Sequence, residues 1–205
     1  MKRKSILLAV CMLLMSVSLA YALPQYTVNT TTGRSGNGGP FLVSENGMSF
    51  QTFCIEEIET ISLGGTYWGS IDSLVYYSSG PNATYSALVD SRTASFYNYF
   101  LDNPGLSSGD KTLIQNAIWA FQGQLAYGSP AVNTNDFYLN VDDYVPDNNR
   151  TIMALNLWTS PNVIAPYNND YAYRAQSLLI ATPEPMTMIL FGLGLIGLAG
   201  LRRKE

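Results

Sequence analysis

Apolar residues follow two kinds of pattern along the chain, and the two patterns predict different kinds of segment. Both ends carry uncharged, mostly apolar runs, at residues 6–19 and 186–201. Between them, at residues 23–182, apolar and polar positions alternate or recur at helical spacing. We therefore expect one folded domain flanked by two end segments of a different nature.

A β-hairpin is the clearest strand prediction. Residues 41–45 and 48–55 both read as strands, and Asn46-Gly47 between them favours a tight turn, since both positions tolerate positive φ. Alternate positions of the second strand share one face, which places Cys54 with the apolar residues that lead that face. We expect Cys54 to point inward.

Helices are predicted in the middle of the chain. Residues 85–101 show helical spacing, and Ser107 and Asp110 have the S-x-x-D form of a capping box at the start of a second helix. Gln115 lies on the flank of that helix's apolar face, and Gly123 is a plausible stop. The apolar face itself consists of Ile114, Ala117, Ile118, Phe121 and Leu125.

The remaining segments complete an α+β fold. Residues 23–40 read as a flexible N-terminal segment with a lead strand at best, and 136–147 as a polar loop. Residues 151–159 and 175–181 read as late strands. The predicted fold is an antiparallel β-sandwich or barrel-like sheet at 41–182, with an inserted small helical subdomain and a single C-terminal transmembrane helix.

The N-terminus has the three parts of a secretory signal peptide. Basic residues at 2–4 precede the apolar run, and the small-residue site Ala20-Tyr21-Ala22 follows it. We expect residues 1–22 to be removed after Ala22 as the protein is secreted across the inner membrane. The alternative is an uncleaved membrane anchor.

The C-terminus carries a second membrane signal. Its apolar run is slightly short for the roughly 17–25 residues of a membrane-spanning helix, yet the basic cluster after it is a stop-transfer signal. These features predict a membrane anchor at 183–205 with the domain outside the cytoplasm. The run lies between a Pro-Glu-Pro triplet and the basic cluster, which are Pro183, Glu184, Pro185, Arg202, Arg203 and Lys204.

In this order and at the chain end, these parts resemble the PEP-CTERM sorting signal of bacterial surface proteins. The resemblance implies recognition by an exosortase, a membrane protease-transferase, near the Pro-Glu-Pro triplet. It also implies a Gram-negative bacterium that makes exopolysaccharide, and a protein that is anchored in the membrane before it reaches the cell surface or extracellular matrix. The alternative is an ordinary tail anchor.

The composition excludes several kinds of chemistry. The chain has no His, so Ser-His-Asp triads, Cys-His pairs and His-ligated zinc are absent. Residues 23–182 hold five basic and thirteen acidic residues, a net charge near −8, which argues against nucleic acid as a partner. We expect no metal and no cofactor, and we interpret Glu56, Glu57 and Glu59 as a solvated strand end.

Cys54 is the single cysteine once the signal peptide is removed. A lone cysteine in an exported chain predicts an intermolecular disulfide, a buried inert thiol or a reactive thiol. Its neighbours and those of Gln115 form two short motifs, Phe53-Cys54-Ile55-Glu56 and Ile114-Gln115-Asn116-Ala117-Ile118-Trp119.

Together the two motifs resemble the thioester domain of bacterial surface adhesins, over roughly residues 41–182. The resemblance implies that Cys54 is the thiol partner and Gln115 the acyl partner of an internal thioester. Phe53, Trp119 and Phe121 are then candidates to exclude water. The family is best known from Gram-positive, sortase-anchored adhesins, whereas this chain carries a PEP-CTERM tail.

The resemblance implies an adhesin that acylates an amine or hydroxyl on a surface or matrix ligand once, so we expect a single-use acyl donor and no turnover enzyme. The alternative is a passive structural or carbohydrate-binding protein of the exopolysaccharide matrix, without the bond. A glycosidase ranks third, because no convincingly spaced pair of carboxylates stands out.

Overall fold

Strands lie toward both ends of the described chain and helices in its middle. The computed structural model describes residues 23–31, 38–76, 86–125, 129–140, 150–161 and 173–182. Its strands are β1 (Gln25–Thr30), β2 (Phe41–Glu45), β3 (Met48–Thr52), β4 (Gly65–Asp72), β5 (Leu74–Val75), β6 (Ala87–Leu88), β7 (Thr151–Trp158) and β8 (Leu178–Thr182). Its helices are α1 (Ser91–Asp102), α2 (Ser108–Phe121), α3 (Pro130–Asn133) and α4 (Asp136–Leu139).

Six strands form one sheet in the order β3-β2-β1-β4-β7-β8, and every neighbouring pair is antiparallel. Just beyond β3, residues 53–55 pair with residues 177–179 through backbone hydrogen bonds of 2.9 and 3.1 Å. We call this pairing the seam. It joins the two edges of the sheet, so the architecture is a nearly closed barrel.

The predicted hairpin is confirmed. Asn46 and Gly47 adopt φ of 49° and 82°, the left-handed conformation that a two-residue hairpin turn requires. Cys54 is fully buried, as the alternation predicts, but Met48 at the start of that face is 69% exposed. The face is therefore buried only toward Cys54, because β3 extends beyond the core at its hairpin end.

Helix α2 begins as its sequence predicts. Ser107 Oγ accepts a hydrogen bond from the Asp110 backbone N–H at 3.1 Å, and the Asp110 carboxylate accepts one from the Ser107 N–H at 3.2 Å. The helix ends at Phe121, and Gly123 follows with φ of 70°. This reciprocal cap fixes where the helix starts.

Two apolar clusters meet at the seam. Phe53 and Ile55 belong to the cluster beneath α1 and α2, whereas Cys54 between them belongs to the cluster lined by β1, β2, β4 and β7. Successive side chains of an extended chain point to opposite faces, which explains this division. The Cys54 side chain therefore faces the barrel interior, whereas the side chains of its two neighbours face the helix layer.

Several sequence predictions need correction. The lead strand that the sequence allows in residues 23–40 is strand β1, which lies in the middle of the sheet with Tyr26 and Val28 buried, so the folded domain includes it. The run of alternating apolar residues in β1 is short, but its apolar side chains face the barrel interior. Helix α1 begins at Ser91 rather than 85, with the Asp90 side chain as its cap. The start of the predicted loop at 136–147 forms the helical turn α4.

The predicted C-terminal membrane helix at 183–205 lies outside the described residues. Within the parts of the chain that the structure describes, no helix has the length and apolar composition needed to cross a bilayer.

Loss of the capping box provides a test of how α2 is held. We expect Ser107→Ala to lower the free energy of unfolding by about 1 kcal/mol, because an N-terminal backbone N–H loses its acceptor. Urea titration measures this change. The matched control is Ser108→Ala, at an exposed neighbouring position that supplies neither cap hydrogen bond. Equal stability of the two variants would contradict the role given to the cap.

Candidate functional site

Cys54 occupies the centre of the seam, opposite Leu178 of β8. Its neighbours carry the backbone pairing: the Leu179 N–H donates to Phe53 O, and the Ile55 N–H donates to Ser177 O. In an antiparallel ladder these bonds alternate in direction along a strand. The N–H and C=O of Cys54 therefore point away from β8 and need another partner.

Gln115 supplies that partner from the middle of α2. Its side-chain Nε2 donates to Cys54 O at 2.7 Å, and its Oε1 accepts from the Cys54 N–H at 3.2 Å. The carboxamide thus pairs with Cys54 as a neighbouring strand would. Only 2% of Gln115 is exposed, so the flank position predicted from sequence lies inside the protein.

The structure brings the two residues predicted to form a thioester into contact. The Cys54 Sγ lies 3.3 Å from Gln115 Oε1, and both side chains are buried. The sulfur is thus next to the amide whose carbon it would have to attack. The bond itself stays a prediction, since the structure shows a thiol and an amide. A fully buried thiol does not favour the intermolecular disulfide.

A glycine segment ahead of β2 completes the site. The Gly39 backbone N–H donates to Gln115 Oε1 at 2.8 Å. A Cβ on Gly38 would overlap the Gln115 side chain, reaching 2.9 Å from Cδ and 3.0 Å from Oε1. One on Gly39 would lie 2.8 Å from Thr52 O. The glycine-rich composition of residues 23–40 predicts flexibility, and it carries no signal for the contact of these glycines with the amide.

The environment holds Cys54 in its neutral form. Burial raises the pKa of the Cys54 thiol to about 12, and the Glu56 carboxylate adds to the effect. The Gly39 and Cys54 backbone N–H groups and the Trp119 side chain act in the opposite direction but do not overcome burial. The Trp119 indole N–H makes no hydrogen bond to any described residue. At neutral pH the sulfur therefore carries its proton.

Glu56 is buried, which corrects the prediction of a solvated strand end. It is 1% exposed, whereas Glu57 is exposed. Its carboxylate accepts from the Ser177 backbone N–H at 2.7 Å, and the Ser177 hydroxyl donates to Asn156 Oδ1 at 2.8 Å. The period of two already places Glu56 on the same face as Cys54. This alternation alone could have predicted that Glu56 is buried.

Burial also raises the pKa of the Glu56 carboxyl, to about 8. The Ser177 N–H and hydroxyl and the charge of Arg174 lower this pKa, while the charge of Glu59 raises it. The three groups that oppose the shift are outweighed by the cost of desolvating a carboxylate. Glu56 is therefore a buried acid beside the candidate site that changes charge near neutral pH.

Two of the three predicted water-excluding aromatic residues lie at the site. Phe53 is fully buried and meets Phe100 edge to face, with ring centroids 4.7 Å apart. Trp119 follows Gln115 by one helical turn and belongs to the same cluster as Cys54. Phe121 packs with Phe96 and Tyr138 in a ring stack. Phe53 and Trp119 are therefore the candidates that geometry supports.

The described part of the chain holds no cluster of three or more Cys, Asp or Glu side chains that could bind a metal ion. The predicted sorting residues lie outside the described residues, namely Pro183, Glu184, Pro185, Arg202, Arg203 and Lys204.

Comparison with known proteins identifies the C-terminal segment. A PEP-CTERM protein-sorting motif matches residues 181–204. The chain carries an exosortase sorting signal. The motif supports an exported protein that exosortase sorts at the membrane and that ends on the cell surface or outside the cell. No curated protein and no solved structure matches the chain, so these comparisons give no support to a thioester domain.

The buried Glu56 predicts a pH dependence of stability. The folded state keeps the proton to about pH 8, whereas the unfolded chain releases it near the ordinary value of 4.5. The contribution of Glu56 to the stability of the fold is therefore complete below pH 4.5, and it is lost as the pH rises from there to about 8. We expect Glu56→Gln to lose less stability than the wild type between about pH 5 and about pH 8.

Urea unfolding at several pH values measures this difference. The control is Glu57→Gln, which removes an exposed carboxyl from the next position. Parallel stability profiles for the wild type and Glu56→Gln would show that Glu56 does not hold its proton in the folded state.

Proposed function

We propose that the exported domain forms an internal thioester between Cys54 Sγ and Gln115 Cδ and uses it once to attach covalently to a surface or matrix ligand. The observation that carries this proposal is the 3.3 Å contact between the thiol and the amide oxygen, both on buried side chains. The likeness of both motifs to those of thioester adhesins supports it further.

Formation of the bond needs a folded protein. A thiol that attacks a primary amide in water makes little progress, because the amide is the more stable acyl compound. Groups held in a reactive geometry reach effective molarities of order 10⁵–10⁸ M. The seam holds the sulfur and α2 holds the amide, so folding itself supplies this advantage. Escape of ammonia then drives the exchange forward.

The product is an acyl donor that needs no histidine. An amine or hydroxyl of the ligand adds to the thioester carbon, the carbon–sulfur bond breaks, and sulfur takes up the proton. The ligand is left on Gln115 as an amide or ester, and Cys54 is a free thiol again. Because ammonia has gone, the domain reacts once.

The sorting motif supports the proposal that this chemistry takes place outside the cell. Exosortase sorting delivers the domain to the outside of the cell, where matrix and surface ligands with amines and hydroxyls are present. We propose membrane anchoring through 183–205 as the step before processing. A passive structural or carbohydrate-binding matrix protein would share the same delivery but would leave Cys54 and Gln115 unlinked.

Intact mass tests the thioester. We expect the purified wild-type domain to be lighter than its sequence by one ammonia. Methylamine should add across the bond and leave N-methylglutamine with a free thiol, so that the product is heavier than the sequence by one CH₂ group. Cys54→Ala and Gln115→Ala should both have the full mass of their sequences. Gln51→Ala, which removes an exposed glutamine, should keep the deficit. Full mass with a titratable thiol in the folded wild type would overturn the proposal.

Processing tests the sorting signal separately. In a host with an exosortase, we expect the surface protein to lose the residues that follow Pro185, because recognition is near the Pro-Glu-Pro triplet. Peptide mapping of the C-terminus measures this loss. Glu184→Ala should retain Glu205, whereas Glu57→Ala, at an exposed site in the domain, should be processed normally. Wild-type surface protein that still ends at Glu205 would contradict processing.

A further inference from the structure

The oxygen of the Gln115 amide is surrounded by donors. Gly39 N–H reaches Oε1 at 2.8 Å, Cys54 N–H at 3.2 Å and the Cys54 thiol at 3.3 Å. Two of the three donors are backbone groups whose positions are fixed by the fold. The amide nitrogen is held on the opposite side by Cys54 O, at 2.7 Å. The orientation of the carboxamide is therefore determined at both ends.

This oxygen is also the atom on which negative charge would develop if Cys54 attacked Cδ. Preorganised backbone donors aimed at such an oxygen in a buried site stabilise the transition state, because they do not have to reorganise as the charge appears. We propose that the Gly39 and Cys54 backbone N–H groups form an oxyanion hole that catalyses both formation of the thioester and its transfer to a ligand. This inference rests on the proposed thioester function.

The steps balance without an added reactant. The thiol sulfur bonds to Gln115 Cδ, and the carbonyl electron pair moves onto Oε1, where the Gly39 and Cys54 N–H groups hold it. The intermediate collapses, the bond from Cδ to Nε2 breaks, and ammonia leaves with the thiol proton. In transfer, the ligand amine bonds to Cδ, the same oxygen bears the charge, and Cys54 departs as a thiol with the amine's proton.

The glycines make this close approach feasible. Gly39 lies so near β3 that a Cβ would come within 2.8 Å of Thr52 O and 3.0 Å of Phe53 Cα. Gly38 lies directly on the Gln115 side chain, where a Cβ would overlap it. Side chains at these positions would push the Gly39 N–H and the amide apart. The two glycines therefore act as positioning residues for the hole.

Gly38→Ala keeps both reacting residues in the sequence but displaces the Gln115 amide from the Gly39 N–H, so it tests whether that contact speeds the reaction. In the domain that carries the thioester, we expect the rate of reaction with methylamine to fall about 100–1,000-fold, which is the usual effect of losing one oxyanion donor. The rate of ammonia loss during folding should fall as well. The control is Gly105→Ala, where a Cβ meets nothing within 4 Å, and it should react at the wild-type rate. Circular dichroism shows whether each variant is folded.

A second measurement keeps the test decisive if Gly38→Ala does not fold. With ¹³C-labelled glutamine, the infrared stretch of the thioester carbonyl should lie at a lower wavenumber than that of an alkyl thioester in an apolar solvent. A wild type that carries the thioester but shows no such shift would overturn the oxyanion hole alone. So would a folded Gly38→Ala that reacts at the wild-type rate. A wild type without the mass deficit would overturn the thioester, and the hole with it.

Discussion

Backbone hydrogen bonds across the seam determine which groups of Cys54 are left for helix α2. Since Phe53 pairs with Leu179 and Ile55 with Ser177, the N–H and C=O of Cys54 face the other way. Buried backbone groups must be paired, and the Gln115 carboxamide pairs with both. The need to pair the buried N–H and C=O of Cys54 therefore places the Gln115 amide next to the Cys54 thiol.

Low polarity around the seam determines the chemistry that is available there. Burial keeps the Cys54 thiol neutral and raises the pKa of Glu56 to about 8. A neutral thiol is a weak nucleophile, so proximity and stabilisation of the developing charge have to supply what a thiolate or a histidine would supply elsewhere. In the proposed reaction, the Gly39 and Cys54 N–H groups would supply that stabilisation, since both donate to Gln115 Oε1.

The sorting motif begins inside the domain's last strand. Its match starts at residue 181, and β8 ends at Thr182. The strand that closes the seam therefore runs straight into the segment that directs exosortase sorting. A cut within β8 would remove residues that pair with β7 from Thr151 onward, so the intact barrel requires processing to fall beyond Thr182.

Local signals alone determined much of this protein. The Asn46-Gly47 hairpin, the capping box at Ser107 and the sorting signal each depend on residues close together in sequence, and the structure or the comparisons bear them out. The motif resemblance anticipated the contact of Cys54 with Gln115, whereas the approach of the Gly39 N–H to that amide and the pairing of Glu56 with Ser177 were decided only by the tertiary structure. The first of these contacts joins residues that are 76 positions apart in the chain, and the second joins residues that are 121 positions apart. Their partners depend on how the sheet closes and where α2 packs against it, and no local pattern of apolar and polar residues encodes that closure.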